Sequence, residues 1–402
     1  MANSYLKPDA ITKEALRILH NNLAFVGSID KQHDKETTFG GQKRGASIRI
    51  RKPNQYKIRT GWTIDAEDQN EQYDTLTIGT VKGVDMNFTD ADLALDIDEF
   101  SRRFITPAVS RLAAEVDLLT YQNCYKSVYN LVGTAGTAPN AALTYLSAGQ
   151  KLSEFATPIT DRKVVINPAA QAATVNALTG LFNPSGAISK QYTEGAMGKA
   201  LGFDFMMSQN VPVHTCGSRV GTILIDGTVS TEGSSTIHVD GLTNATDTWK
   251  EGDVFTVAGV YAVNPETKES TGSLQQFVVT ADATAASNEV DLTVSPAMYT
   301  SASGGLQTID AFPQDGAAVT VVGTASTGYA QNMAFHKEAF TFASANLEMP
   351  SDVSFKSQQA MDGINIRILR QYDINNANYP LRLDVFFGSL AQRPSMACRI
   401  TG

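Results

Sequence analysis

The spacing of hydrophobic residues changes several times along this chain. Residues 96–132 carry the strongest helical stripe: Ile97, Phe100, Phe104, Ala108, Leu112, Val116, Leu119 and Tyr125 fall on or near one face. Asp96, Asp98 and Glu99 stand at its start, where the helix dipole favours acids. Gly133 predicts its end, and Pro107 predicts a kink or a shortening from the front. Uninterrupted, such a helix is about 50 Å long, more a strut than a core element. A shorter amphipathic helix is predicted over 11–23 from Ile11, Leu16, Ile18, Leu19 and Leu23, followed by a polar connector over 27–41.

Elsewhere the period shortens to two. Residues 47–51 alternate Ile48 and Ile50 with Arg49 and Arg51, and 75–88 read as one or two returning strands. The connection between them is too long for a tight turn. Helices are predicted over 145–155 and 168–181, with strands over 163–166 and 202–207. From residue 217 the composition turns to Ser, Thr, Gly and Asp. Six β-branched runs follow, at 222–225, 236–239, 254–260, 276–279, 290–294 and 318–322. Short strands with turn residues between them and no helix signal describe a small antiparallel barrel or sandwich. After about 328 the mixed character returns, 363–369 alternates, and 381–387 reads as a strong strand closed by Gly388.

Charge divides the chain in the same places. Residues 217–326 hold three bases against thirteen acids, a net −10 in a chain whose total is −9. One acidic, solvent-facing module on a near-neutral body is the simple account. That balance argues against a general nucleic-acid binder. The loop region is the second anomaly. Lys43, Arg44, Arg49, Arg51, Lys52, Lys57 and Arg59 have no acid among them, and Asp65, Glu67, Asp68, Glu71 and Asp74 have no base. Segregated signs on one projecting hairpin suit a surface that meets a neighbour in one register. A plain solvated loop and a phosphate contact stay open beside that reading, although Tyr56 and Trp62 are thin material for base stacking.

Catalytic chemistry is not in evidence. His20, His33, His214, His238 and His336 are scattered without metal-ligand spacing, and there is no phosphate loop or dinucleotide fingerprint. Gly133 and Gly136 follow a helix, so they read as a helix stop. Asp90, Asp92, Asp96 and Asp98 fail the calcium-loop pattern, because its sixth and twelfth positions are Leu95 and Ser101. No cofactor and no metal are expected. Cys124, Cys216 and Cys398 are read as reduced thiols. No apolar run approaches the roughly 20 residues of a membrane span, and residues 1–7 lack a secretion-signal pattern.

The order of elements resembles the major capsid proteins of tailed phages, and more narrowly the coat proteins of the short-tailed Salmonella phage group with an inserted β-barrel. The likeness rests on local residues. Trp249 to Asp253 and Phe255 to Val260 resemble the core of the inserted domain, and Phe100 to Arg103 with Leu112 to Val116 resemble the spine helix. Phe335 to Phe340, then Ala345 to Pro350, resemble the return segment. Leu383 to Gly388, with Arg393 and Pro394, resemble the closing strand and its tail.

The resemblance implies an α+β capsid fold. Its parts would be an N-terminal arm (1–40), an extended E-loop with flanking strands (41–88), a peripheral domain with the spine helix (89–136) and an axial domain (137–216). An inserted all-β barrel (217–326) and a return to the axial and peripheral domains (327–402) would complete it. It implies a structural role, not an enzymatic one, with tail or decoration proteins as the alternative. The partners implied are copies of the same chain in hexamers and pentamers, a scaffolding protein, a portal, and enclosed double-stranded DNA held without sequence specificity; no membrane is implied. The location implied is the virion, after assembly in the host cytoplasm. Some such capsids crosslink a loop lysine, and Lys43, Lys52 and Lys57 lie in that loop, but no local motif marks a partner for them.

Overall fold

The computed structural model describes residues 15, 17, 19, 23–31, 47–56, 58–59, 61–64, 71–89, 104–178, 198–361, 363–374 and 378–402. The chain divides into two compact units. Much of the predicted helix at 11–23, the acidic cluster at 90–98 and the start of the spine helix lie outside the described residues.

The first unit comprises residues 1–50, 75–121 and 340–390. Its main sheet has the strand order Phe340–Ser344, Asn378–Ala391, Ile364–Arg370, Phe355–Met361, with Thr80–Thr89 also paired to Asn378–Ala391. That last pairing is antiparallel and unbroken from Asn378 opposite Thr89 to Phe387 opposite Thr80. The predicted period of two holds here. Leu381, Leu383, Val385 and Phe387 are buried while Arg382 is exposed. Asp384 breaks the alternation: it is buried, and Arg367 and Arg382 reach it at 2.6 and 2.7 Å. Gly388 closes against the neighbouring backbone, where a Cβ would lie 2.2 Å from the Thr77 carbonyl oxygen. Phe25 packs between Tyr121 and Phe340, with ring centroids 4.6 and 5.6 Å away. The buried Asp117 carboxylate accepts the Phe25 and Val26 N–H groups at 3.0 and 2.9 Å.

The spine helix is described over Thr106–Tyr125, preceded by a π turn at 104–105. Pro107 sits in the first turn of the described α-helical span, directly after that π turn. The helical stripe predicted to 132 stops at Tyr125. Leu131–Val132 form instead a short strand, parallel to Ala397–Thr401. The Gln276 side chain clamps Leu131 on both sides, accepting from its N at 2.9 Å and donating to its carbonyl at 2.8 Å. Sheet pairing here outweighs the local helical period. Gly133 is consequently not a helix stop. It has φ +96°, and a Cβ would come within 2.7 Å of the Thr401 carbonyl oxygen.

The second unit comprises 51–74, 122–339 and 391–402. Its seven-stranded mixed sheet runs Leu131–Val132, Ala397–Thr401, Gly328–His336, Arg162–Ile166, Phe203–Met207, Lys199–Ala200, with Val213–Thr215 added beside Gly328–His336. Two helices, Ala142–Glu154 and Pro168–Leu178, belong with it. The buried Tyr145 hydroxyl lies 2.7 Å from Thr174 Oγ1, and Tyr145 shares a core with Leu152, Val164, Ile166, Phe203 and Ile400.

All six predicted β runs between 217 and 326 are strands of one sheet, ordered Val319–Val321, Val254–Val263, Ser270–Val279, Val290–Met298, Ser234–Leu242, Gly221–Ile225. The two outer strands then meet. Leu224 bridges Ala318, Ile225 N donates to Ala317 O at 2.9 Å, and Gly316 N donates to Ile225 O at 2.8 Å. The sheet is thus a closed barrel, which leaves no open edge for foreign strands. Trp249, Phe255 and Phe277 fill its interior with Ile237, Val239, Leu292 and Val294. A smaller cluster of Tyr129, Leu131, Phe155, Val254, Ala262 and Val278 lies at its base. Cys124, Cys216 and Cys398 are buried and form no disulfide. Among the described residues no helix is long and apolar enough to cross a membrane.

Candidate functional site

The charged loop is a hairpin. Ser47–Arg51 and Tyr73–Thr77 form a two-stranded sheet, extended by a bond from Lys52 N to Gln72 O at 2.8 Å. Ile50 and Leu76 face inward with Ile78 and Ala343, which leaves Arg49 and Arg51 on the exposed side. The two halves of opposite sign meet within the hairpin itself. Arg51 lies 3.4 Å from Glu71, and Lys52 lies 2.9 Å from Asp74. Exposed pairs of this kind contribute about 0–1 kcal/mol, so they set register more than stability. Arg59 Nη1 donates to the carbonyls of Gly61 and Thr63 and so shapes the distal turn. Gln55 runs close to the barrel: a Cβ on Gly305 would lie 2.7 Å from the Gln55 carbonyl oxygen. Of the charged loop residues, Lys43, Arg44, Lys57, Asp65, Glu67 and Asp68 lie outside the described residues.

Charge drew attention to the loop, but its apolar side chains stand out in the structure. Trp62 is 100% exposed, Ile58 86%, Ile64 82% and Tyr56 66%. Four large exposed apolar side chains within one short stretch of sequence mark an interaction surface better than scattered single ones do. The sequence held the signal, an apolar set at 56, 58, 62 and 64 inside a polar stretch, and the charge pattern obscured it.

A second constellation lies at the barrel base, built from residues far apart in sequence. Asp253, in the turn before the strand Val254–Val263, is buried. Its carboxylate accepts from Arg219 Nη1 at 2.6 Å, His214 Nε2 at 2.9 Å, Lys250 N at 2.9 Å and Gly217 N at 3.2 Å. Burial alone would raise this carboxyl. The His214 bond, the Arg219 charge and the Lys250 N–H outweigh it and hold Asp253 below the ordinary value. The Tyr125 hydroxyl reaches His214 Nδ1 at 3.3 Å, and Arg219 stacks 4.7 Å over Trp249. Cys216 completes a group of potential metal donors with His214 and Asp253, all within 4.8 Å. The chemistry does not favour a metal, because Asp253 is already taken up by a guanidinium and burial pushes the Cys216 thiol up. On the barrel exterior His238 lies 2.7 Å from Asp291 and 3.3 Å from Asp226. The bond to Asp291 raises its pKa, and an imidazolium answers those carboxylates without a metal.

Among solved structures the chain is similar to one from Mycobacterium phage Che8, with TM-score 0.51 and 13% identity over 94% of this chain and 90% of that one. It also matches the mature capsid of bacteriophage PhiM1, with TM-score 0.44 and 10% identity over 89% of this chain and 82% of that one. The CUS-3 coat protein I-domain matches at 23% identity and TM-score 0.20, covering 26% of this chain and 98% of that one. No curated protein sequence matches the chain. The fold is that of the tailed-phage capsid proteins. The model of the P22 coat protein family, gene protein 5, matches residues 10–402, and the chain belongs to that family. It is a major capsid protein, a repeated subunit of a phage shell.

Proposed function

We propose that this subunit assembles, with a scaffolding protein, into hexamers and pentamers of an icosahedral shell around phage double-stranded DNA, with a portal at one vertex. Assembly takes place in the host cytoplasm and the product is the virion capsid. Residues 1–40 act as the arm, 41–88 as the E-loop, 89–136 as the peripheral spine, 137–216 with 327–402 as the axial and closing parts, and 217–326 as the projecting barrel.

Within that reading the loop is the intersubunit contact. The observation that carries it is the exposed apolar tip of Tyr56, Ile58, Trp62 and Ile64. Burying one such side chain is worth about 1.5–3 kcal/mol, so a tip left in water is costly unless a neighbour covers it. Lys43, Arg44, Arg49, Arg51, Lys52, Lys57 and Arg59, with Asp65, Glu67, Asp68, Glu71 and Asp74, supply register for that docking. Many weak repeated contacts of this kind close a shell.

The test is assembly of purified subunit followed by electron microscopy and sedimentation. Trp62→Ala with Ile64→Ser is expected to leave the monomer's unfolding midpoint unchanged and to prevent closed shells. Reversing charge at Arg49 and Arg51 is expected to slow assembly in a salt-dependent way. Normal shells from the apolar double variant would refute docking by the tip, and tubes or single rings from the native subunit would refute the shell.

A further inference from the structure

One short connection in the barrel is pinned at both ends. It is the 3₁₀ segment Ser301–Leu306, which follows the strand Val290–Met298. At its start the Glu232 carboxylate accepts from Thr300 N at 2.9 Å, from Ser303 Oγ at 2.8 Å and from Thr300 Oγ1. At its end Lys268 Nζ donates to the Gly305 carbonyl at 2.6 Å. Below it Thr308 N donates to Tyr299 O at 2.9 Å and closes the base of the connection. Two charged side chains from other parts of the barrel thus hold a segment that belongs to no strand.

The charged loop lies against this segment. Gly305 is buried, and a Cβ there would lie 2.7 Å from the Gln55 carbonyl oxygen, 2.9 Å from its carbon and 3.1 Å from Tyr56 N. Backbone rests on backbone, an approach that a side chain would block. Gly304 has φ +57°, whereas Gly305 stays out of the left-handed region. The contact, not the local backbone conformation, therefore calls for glycine at 305. Residues 51–74 accordingly group with the unit that contains the barrel, although the chain up to Ile50 and again from Thr75 belongs to the other unit.

We propose that Ser301–Leu306 is a rest for the loop, through which the barrel sets the direction in which the apolar tip is presented. Tyr56, the first residue of that tip, follows directly on Gln55, so the rest acts at the root of the tip. A loop that is held before it docks has less freedom to lose on docking. Gly305 is then a positioning residue for the contact made by Ile58, Trp62 and Ile64. This inference rests on the reading of the loop as the intersubunit contact.

The test uses the full-length subunit, spin-labelled at Thr63→Cys in the loop and at Thr320→Cys on the exposed side of the strand Val319–Val321; the native thiols are buried. One narrow label-to-label distance is expected. Gly305→Ala puts a Cβ into the contact and is expected to shift and broaden that distance while the unfolding midpoint stays unchanged. Lys268→Met unpins the segment without placing an atom against the loop, is expected to broaden the distance as well, and decides the matter should Gly305→Ala not fold. Freeing the backbone of one residue is worth about a factor of ten, so Gly305→Ala is expected to need about tenfold more subunit to form shells. An unchanged distance in either folded variant would overturn the rest. A shifted distance with shells at the native concentration would overturn the barrel's role, given that Trp62→Ala with Ile64→Ser prevents them. Normal shells from that double variant would overturn the docking reading and the barrel's role with it, while the label distance still judges the rest.

Discussion

Replacing Asp253 by Ala removes an acceptor that four donors share: His214 Nε2, Arg219 Nη1 and the N–H groups of Lys250 and Gly217, at 2.6–3.2 Å. The Asp253 side chain is fully buried and that of Arg219 nearly so, which leaves little room for solvent to take its place. Breaking a buried pair while leaving the partner charge behind costs about 3–5 kcal/mol. Against a typical total of about 5–15 kcal/mol, that is a large share of the stability of the unit. The chain has two tryptophans, the exposed Trp62 and the buried Trp249 under Arg219. In a Trp62→Phe background, fluorescence therefore reports on the joint itself during urea unfolding. The effect carries a pH signature. Asp253 is held below its ordinary 3.8 in the folded state. Its contribution is therefore complete above the unfolded pKa and is lost as pH falls through the lower folded value. The gap between native and Asp253→Ala protein is expected to stay constant from neutral pH to about pH 5 and to shrink below about pH 4. A loss under about 1 kcal/mol at neutral pH, the scale of an exposed pair, would refute the argument.

Gly388→Ala places a Cβ 2.2 Å from the Thr77 carbonyl oxygen, backbone against backbone; a loss of at least about 1–3 kcal/mol is expected in thermal unfolding, and an unchanged midpoint would contradict the packing. Residues 217–326 expressed alone are expected to unfold cooperatively with a β-type circular dichroism spectrum, because their strands close on themselves. A random-coil spectrum would show that the barrel depends on the body beneath it.

Elements whose local pattern and long-range pairing agree were legible in the sequence. The alternation of 381–387 and the six β-branched runs fall on strands, because each buries one face in the way its own period demands. Leu131 and Val132 were misread because the helical stripe continued past Tyr125, while Gln276 and the strand Ala397–Thr401 draw them into a sheet. The joint at Asp253 was not legible at all. His214, Asp253 and Arg399 share no spacing, and only the sheet register brings them together. In the loop, Arg51 with Glu71 and Lys52 with Asp74 show part of the segregated charge being satisfied within the hairpin itself.

The placement of the strand Ala397–Thr401 has a consequence for the order of events during synthesis. It lies between Leu131–Val132 and Gly328–His336, inside the sheet, yet it follows both of them and the whole barrel in sequence. The barrel, by contrast, is contiguous in sequence and can close while the ribosome is still adding the return segment. For that interval the strand Gly328–His336 offers an open edge beside a finished barrel. The nascent subunit is therefore vulnerable to foreign pairing just before this strand arrives.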